Sequence, residues 1–380
     1  MSSTHDHASW GVPPWQVDFS PRGSARVSGR EADFAIIGGG FTGLAAAAWL
    51  RKLAPEKSVV VLEAGRIGAG ASGRTGGMAL AETAVGDQPG LGDVLAGFRK
   101  ILGELDVACD LDLSGAWEIA RSGAAVTPAI QWSDSGTLRV VKEVPGGTLD
   151  PGKLVAGLAR AAESRGATLL ENHAVEKIEW GERIEISGAW GTLRASRLLQ
   201  ATNAFSLDLA GLGAGMHPRL TLAALTEPLD ENVVRAIGLA ERKPFYTVDF
   251  PYLWGRVRAD RSIVWGAGLV SSPDERDLAA VDIASPEAAK MFGSLERRVR
   301  GLHPALAEIK FVRRWGGPIL FRDSWKPAFV WHPRDRAIAS RAVVLAAFAG
   351  HGVALTSYLG AWAAEALLGR RDLPQWGTLD

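Results

Sequence analysis

The chain has 380 residues, 47% of them hydrophobic and 22% charged, with 42 basic and 42 acidic side chains. That is enough globular sequence for a large core split between two domains. The zero net charge gives no electrostatic reason to expect nucleic acid or an anionic membrane as partner. The single cysteine, Cys109, excludes an intrachain disulfide and a cysteine-rich metal site, which suits a reducing compartment.

Residues 1–30 are rich in Pro, Gly, Ser and Arg without an apolar period, and read as an arm lying over the domain and outside its core. The opening MSSTHDHASWGVPPW has neither a basic n-region nor an apolar h-region, so it does not read as a signal peptide. No run reaches the roughly 18 apolar residues a bilayer span needs. The expectation is a soluble, cytoplasmic chain with no transmembrane segment and no metal.

Residues 33–37 are a β-type apolar run that ends in Gly38-Gly39-Gly40. An Ala- and Leu-rich stretch over 42–53 predicts a helix closed by Pro55, and 58–62 predicts a second strand ending at Glu63. Strand, glycine turn, helix and strand make one βαβ unit. Residues 65–77, GRIGAGASGRTGG, follow as a glycine-dense loop. Helical spacing returns at 91–108, and 117–141 alternates as antiparallel strands do. Asp150-Pro151 starts a helix that runs to 164, and 166–170 is a strand. Three short segments, 175–180, 183–187 and 191–194, read as a meander, with a separate run at 198–202. Strand-like segments fill 220–270, including 246–250 and 262–265. A helix is predicted over 285–302, a strand over 341–348, and a long apolar helix over 353–368 after His351-Gly352.

The spacing Gly38-x-Gly40-x-x-Gly43 sits between a strand and a helix, where dinucleotides bind. Gly38 permits the tight turn, Gly40 lets a pyrophosphate approach, and Gly43 lets the helix pack against the sheet. The helix N-terminus offers free N–H groups and partial positive charge. Glu63 can accept ribose hydroxyls and would repel the 2′-phosphate of NADP. Strand, helix, second strand and terminal acid together support dinucleotide binding. Without them the glycines could simply form a turn. The loop at 68–77 replaces the regular β/α units of a nicotinamide enzyme. It can lay backbone N–H groups along a flavin and its ribityl chain, or it can be a mobile surface loop.

IIGGGFTGLAAAAWL, VLEAGRIGAGASGRTGGM, GGTLDPGKLV, ATNAF, TEPL and FAGHGVALTSYLGAWAAEAL resemble the D-amino-acid-oxidase-like superfamily of FAD-dependent oxidoreductases. Their motifs are most similar to the γ-glutamylputrescine oxidase branch, from about residue 33 to the C-terminus. The resemblance implies an α/β fold, with a Rossmann-like FAD/NAD(P)-binding domain of the glutathione-reductase type and a substrate domain on a mainly antiparallel sheet. The FAD domain would take 31–95, 150–215 and 310–380, and the substrate domain 96–149 and 216–309. The implied chemistry is oxidation of a C–N bond in a small amine or amino acid, with hydride passing to flavin N5 and the imine hydrolysing. Oxygen or another acceptor would reoxidise the flavin. In an alternative arrangement, the chain is an FAD-carrying subunit that works only with a partner subunit.

The resemblance also implies contacts. Gly38, Gly40, Phe41, Thr42 and Gly43 meet the pyrophosphate, and Glu63, Ala64 and Arg66 lie at the adenosine half. Ser72, Gly73, Arg74, Gly76, Gly77 and Met78 line the pyrophosphate, ribityl and flavin region. Val175 meets adenine, and Ala201 and Asn203 flank the cofactor. Gly350, His351, Gly352, Val353 and Ala354 lie at the N-terminus of the last helix, whose dipole stabilises charge on the reduced flavin. His351 could be a base, a flavin contact or a residue that shapes the turn. Cys109 lies outside every FAD motif, so FAD is expected to be non-covalent and Cys109 a small buried hydrophobe. Some relatives carry lysines near 262–265 and just after the GHG turn. This chain has Ser262-Ile263-Val264-Trp265 and Ala354 there, which favours an amine over a simple amino acid. Tyr246, Tyr252, Trp254 and Trp265 are substrate-pocket candidates because aromatic faces hold amines by cation–π attraction, and Arg256, like Arg258 or Arg322, is a candidate to replace the missing carboxylate-binding cation. Core packing is the other reading of each ring.

Overall fold

The computed structural model describes residues 8–22, 29–213, 215–272, 274–332 and 341–379. The early strands in chain order are β1 (Arg30–Ile37), β2 (Val59–Leu62), β3 (Met78–Leu80), β4 (Ala116–Ala120), β5 (Trp132–Ser133) and β6 (Thr137–Val144). Next come β7 (Gly146–Thr148), β8 (Thr168–Leu170), β9 (Lys177–Glu179), β10 (Ile184–Gly188), β11 (Gly191–Gln200) and β12 (Met216–Thr226). The last six are β13 (Phe245–Thr247), β14 (Trp254–Val257), β15 (Ile263–Ser271), β16 (Phe311–Arg322), β17 (Ala328–Trp331) and β18 (Ala342–Ala346). The first helices are α1 (Phe41–Leu53), α2 (Val94–Leu105), α3 (Pro151–Ser164) and α4 (Leu207–Ala210). They are followed by α5 (Glu231–Ala236), α6 (Glu275–Ala280), α7 (Pro286–Leu302) and α8 (Val353–Leu367).

One sheet runs β17-β18-β11-β1-β2-β8, with β10 and β9 attached to β11. From β18 to β8 its pairs are parallel. Both faces are therefore covered, and the strands are almost continuously apolar. Ile36, Val61, Leu199 and Val343 pack under α1, α2, α3 and α8, while Ala35, Val60, Leu62 and Leu198 pack under the β9–β10 meander. The two runs expected at 191–194 and 198–202 are one ten-residue strand, β11. It pairs antiparallel with β10 and parallel with β1, so the polar Ser196-Arg197 step marks no break.

The second sheet runs β16-β12-β15-β14-β13-β4-β6-β5 and is antiparallel except where β13 meets β4. One face is a core of Trp117, Trp132, Phe245 and Trp265 closed by α5 and α7. Two expected boundaries move. Residues 311–322, placed with the FAD domain by sequence, pair with β12 from Met216↔Arg322 to Thr226↔Phe311 and belong to this second sheet. The helix at 94–105, placed mostly with the substrate domain, buries Phe98, Ile101, Leu102 and Leu105 in the first core.

The N-terminal arm is also corrected. Trp10 is 0% exposed and Trp15 6%, so the arm contributes to the interior. It crosses both sheets' territory. Ile283 N donates to Ser9 O at 2.9 Å, Gly11 bridges Trp315, and Arg160 Nη1 donates to Asp18 O at 2.7 Å. Its remaining residues, 1–7 and 23–28, lie outside the described residues. Among the described residues, no helix is long and apolar enough to cross a membrane.

Candidate cofactor and substrate site

The first half of the site is made of backbone. Gly38 has φ +109°, and a Cβ there would lie 2.6 Å from Ala201 O. A Cβ on Gly43 would lie 2.0 Å from Gly38 O, so only glycine lets α1 start this close to β1. A Cβ on Gly40 would meet Ser72 Oγ at 2.7 Å, and that hydroxyl accepts from Phe41 N at 2.9 Å. The N-cap residue Gly40 has no side chain to cap α1, and beyond the Ser72 contact its dipole faces the space between Gly40 and the loop. Phe41 and Thr42 are buried in its first turn.

Glu63 ends β2, half-buried. Its carboxylate accepts from Gly39 N at 2.7 Å and from Gly65 N at 3.0 Å. Loss of water pushes its pKa up, against the pull of those two bonds. Ala64 is half-buried beside it and Arg66 is exposed. The segment after β8 closes on the same end through Asn172 N to Gly65 O and His173 N to Glu63 O, leaving Val175 half-buried nearby.

The glycine-rich loop is a fixed structure here. Gly73 N donates to Gly68 O at 3.0 Å, and Gly73 O accepts from Trp15 Nε1 at 2.7 Å. Arg74 is buried, with Nε on Ala69 O at 3.0 Å and Nη1 on Gly11 O at 2.8 Å, Trp10 O at 3.3 Å and Gly316 O at 3.3 Å. Its guanidinium clamps the arm and β16 to the loop. Expectation had it line the cofactor instead. Trp315 Nε1 completes the clamp on Arg74 O at 2.9 Å. Beyond it, Gly76 and Gly77 carry the loop into β3, which begins at the half-buried Met78.

The second half of the site is made of side chains. Strand register lines up Trp315, Ala223, Gly266, Trp254, Tyr246 and Glu118 across one face of the second sheet. Trp254 lies over Gly266, where a Cβ would come within 2.0 Å of the ring, and against Gly76, where it would come within 2.3 Å. The indole is thus held between the sheet and the flavin-type loop. Arg256 shares this face and lies 3.1 Å from where a Gly77 Cβ would stand. Tyr246 Oη donates to a Glu118 carboxylate oxygen at 2.9 Å. Burial, then that carboxylate, raises the phenol's pKa.

Two pocket candidates are not in this site. Trp265 pairs with Gly255, so it projects to the opposite face and packs against Phe245 at 5.1 Å and Trp132 at 5.5 Å. Tyr252 is on the exposed loop after β13, 4.2 Å from the ring of Phe250, and its carbonyl accepts from Arg298 of α7. Sequence reading missed Trp10, Trp15, Trp315 and Glu118. Two tryptophans in an arm without an apolar period were the available signal for the first pair.

The other end of the chain supplies a second uncapped helix start, Gly352 before α8. The approach to it is unusual: Ala347 and Ala349 have φ +62° and +49°. Asn203 Oδ1 holds Ala347 N at 3.1 Å, and Leu320 O holds Ala349 N at 3.1 Å. Asn203 therefore shapes this turn. Gly350 is exposed, His351 and Gly352 are half-buried, and Val353 and Ala354 are buried. His351 Nδ1 lies 3.3 Å from Ala349 O, and burial draws its pKa down. α8 crosses α1 where Gly360 meets Thr42 O, so both helices belong to one cofactor-side layer. Cys109 is a buried residue of the first core, its thiol pushed up to about 12 by burial.

These features fit a dinucleotide: a cradle without Cβ atoms at Gly38, Gly40 and Gly43, an uncapped helix start, and a carboxylate 2.7 Å from the Gly39 amide. The profile of the FAD dependent oxidoreductase (DAO) family matches residues 33–366. The gamma-glutamylputrescine oxidoreductase of Escherichia coli is 27% identical over 89% of this chain and 84% of its own length. The probable oxidoreductase OrdL of Rhizobium meliloti is 26% identical over 90% of this chain and 84% of its own. Among solved structures, glycine oxidase from Geobacillus kaustophilus superposes with TM-score 0.68 at 20% identity, covering 90% of this chain and 96% of its own.

Proposed function

The chain belongs to the FAD dependent oxidoreductase family, and from that premise we propose that it oxidises a C–N bond of a small amine or amino acid. FAD, held by the glycine cradle and Glu63, would supply the two-electron acceptor for the hydride leaving the carbon next to nitrogen, and the imine so formed would hydrolyse. The observation that carries this reading is Trp254, fixed between Gly76 of the loop and Gly266 of the second sheet. It puts an aromatic wall, with Tyr246 and Glu118 beyond it, directly opposite the cofactor half. Such a wall suits a small cationic or aminated substrate. The named relatives act on substances of that class, γ-glutamylputrescine and glycine.

The chain's own residues divide the work. Gly38, Gly40 and the open start of α1 would hold the pyrophosphate, and Glu63 the ribose. The open start of α8 would stabilise negative charge on the reduced cofactor. His351 is kept neutral by burial. With its Nδ1–H assigned to Ala349 O, Nε2 is left to accept the proton that the substrate ammonium must lose. FAD would be held non-covalently: Cys109 is buried in the first core as a protonated thiol, and the loop has Arg74-Thr75 where histidine-linked relatives carry a histidine. Oxygen or another acceptor would then take the electrons from the reduced cofactor.

Anaerobic addition of an amine and amino-acid panel to the FAD-loaded chain tests the reading. At least one compound should bleach the flavin bands. No bleaching by any of them, with FAD retained, would remove the C–N oxidation assignment.

A further inference from the structure

Arg256 is 7% exposed, yet its Nε has no hydrogen-bond partner. Among the described residues, neither Nη forms a hydrogen bond or an ion pair. Two neighbouring arginines are committed: the buried Arg74 grips four carbonyls, and the half-buried Arg258 reaches Asp260 at 3.1 Å. Asp150 is the acid whose field favours the Arg256 charge, but its carboxylate is occupied as the cap of α3, accepting from Lys153 N at 2.9 Å. Loss of water draws the guanidinium down to about 10, still a cation at neutral pH. A buried, unpaired cation is costly unless something anionic meets it.

The N-terminal arm fixes where that cation points. The Trp15 ring lies 5.7 Å from the Arg256 guanidinium carbon, and Trp15 cannot easily move. Its Nε1 is bonded to Gly73 O, and its ring meets Trp315 edge-on at 5.7 Å. Arg74 holds the preceding turn by Trp10 O and Gly11 O. The free edge of the guanidinium therefore faces Gly77, beside Trp254, where loop and second sheet meet.

We propose that Arg256, held against Trp15 by this N-terminal strap, binds a carboxylate on the substrate and so selects amines that also carry an acidic group. A planar fork against a carboxylate is the match that a guanidinium makes best. The pair Arg256–Trp15 would supply the anion site that the apolar position Ala354 does not. Trp15 is a positioning residue, acting through Arg256. The proposal rests on the C–N oxidation reading above.

The test uses the FAD-loaded full chain and unreactive acids. Acetate through hexanoate and benzoate are titrated against their amides, following the change in flavin absorbance. At least one acid should bind in preference to its amide. Arg256→Met should weaken that acid by ~30-fold or more, and Arg256→Lys by less. Trp15→Phe should keep most of the affinity and Trp15→Leu should lose several-fold, with FAD retention unchanged in all four. Acids binding no better than amides in a chain that amines still bleach would overturn this proposal and leave the function standing. A fall in FAD retention in Arg256→Met, with acid binding intact, would give the guanidinium to the cofactor and also overturn it. A chain that no amine bleaches would remove both.

Discussion

The two halves of the site are built from different materials. The proposed cofactor half, at the ends of β1 and β2 and the starts of α1 and α8, is mostly backbone: missing Cβ atoms and open helix starts, with one side-chain carboxylate. The proposed substrate half, on β14 and its neighbours, is made of side chains aligned by register. Backbone sites need glycine at fixed spacing and tolerate no substitution. Side-chain sites need only the correct face of a strand, and many residues can stand there.

That contrast can be broken first at Gly43. Gly43→Ala puts a Cβ 2.0 Å from Gly38 O, a backbone atom that cannot step aside. The largest effect expected is loss of FAD-loaded protein, measured as flavin per chain after purification. Next comes the face of a tryptophan. Trp265→Ala should cost about 3–5 kcal/mol in urea unfolding, as large core truncations do, with the substrate KM unchanged. Trp254→Leu should shift KM with a smaller loss of stability. Equal behaviour of the two variants would mean that the register does not divide them.

The junction between the halves is sharper still. Gly76→Ala drives a Cβ to 2.3 Å from the Trp254 ring, which Gly266 blocks from behind. Overpacking of this kind costs about 1–3 kcal/mol. Adding Trp254→Leu should recover at least half of that loss in a double-mutant cycle. Strictly additive losses would separate the two residues.

The smallest effects belong to Glu63. Glu63→Ala should weaken FAD binding by roughly 10- to 100-fold, the usual worth of bonds to a charged group, without unfolding the chain. In the FAD-free chain the folded carboxyl titrates above its ordinary 4.5. The folded state then holds a proton that the unfolded state has released. Its stabilising contribution is complete below 4.5 and is lost as pH rises through the raised folded value. Urea midpoints of the FAD-free chain should show this slope just above pH 4.5, and Glu63→Gln should remove it.

What could be read from sequence follows the same division. Gly38-x-Gly40-x-x-Gly43, Glu63 and the helix after Gly352 were legible because close approach demands glycine and a helix start demands an open turn. Trp254 and Trp265 were not separable, because eleven residues apart on a hairpin they share no period. Only the pairs Trp254↔Gly266 and Gly255↔Trp265 assign them to opposite faces. β11 was split in two because Ser196 and Arg197 interrupt its apolar run, although the strand serves both the meander and the parallel sheet. The arm read as peripheral because its contacts are to distant carbonyls: Gly11 O to Arg74, Gly73 O to Trp15. Pairings over such separations leave no local pattern.

The central claim is that the glycine cradle at one end of the chain and the uncapped helix at the other hold one FAD against the second sheet. Titration of the FAD-free chain with FAD, followed by gel filtration and measurement of the flavin absorbance that stays with the protein, tests it most directly. The account predicts one FAD per chain, released intact on denaturation. Protein that emerges colourless after saturation with FAD would contradict it.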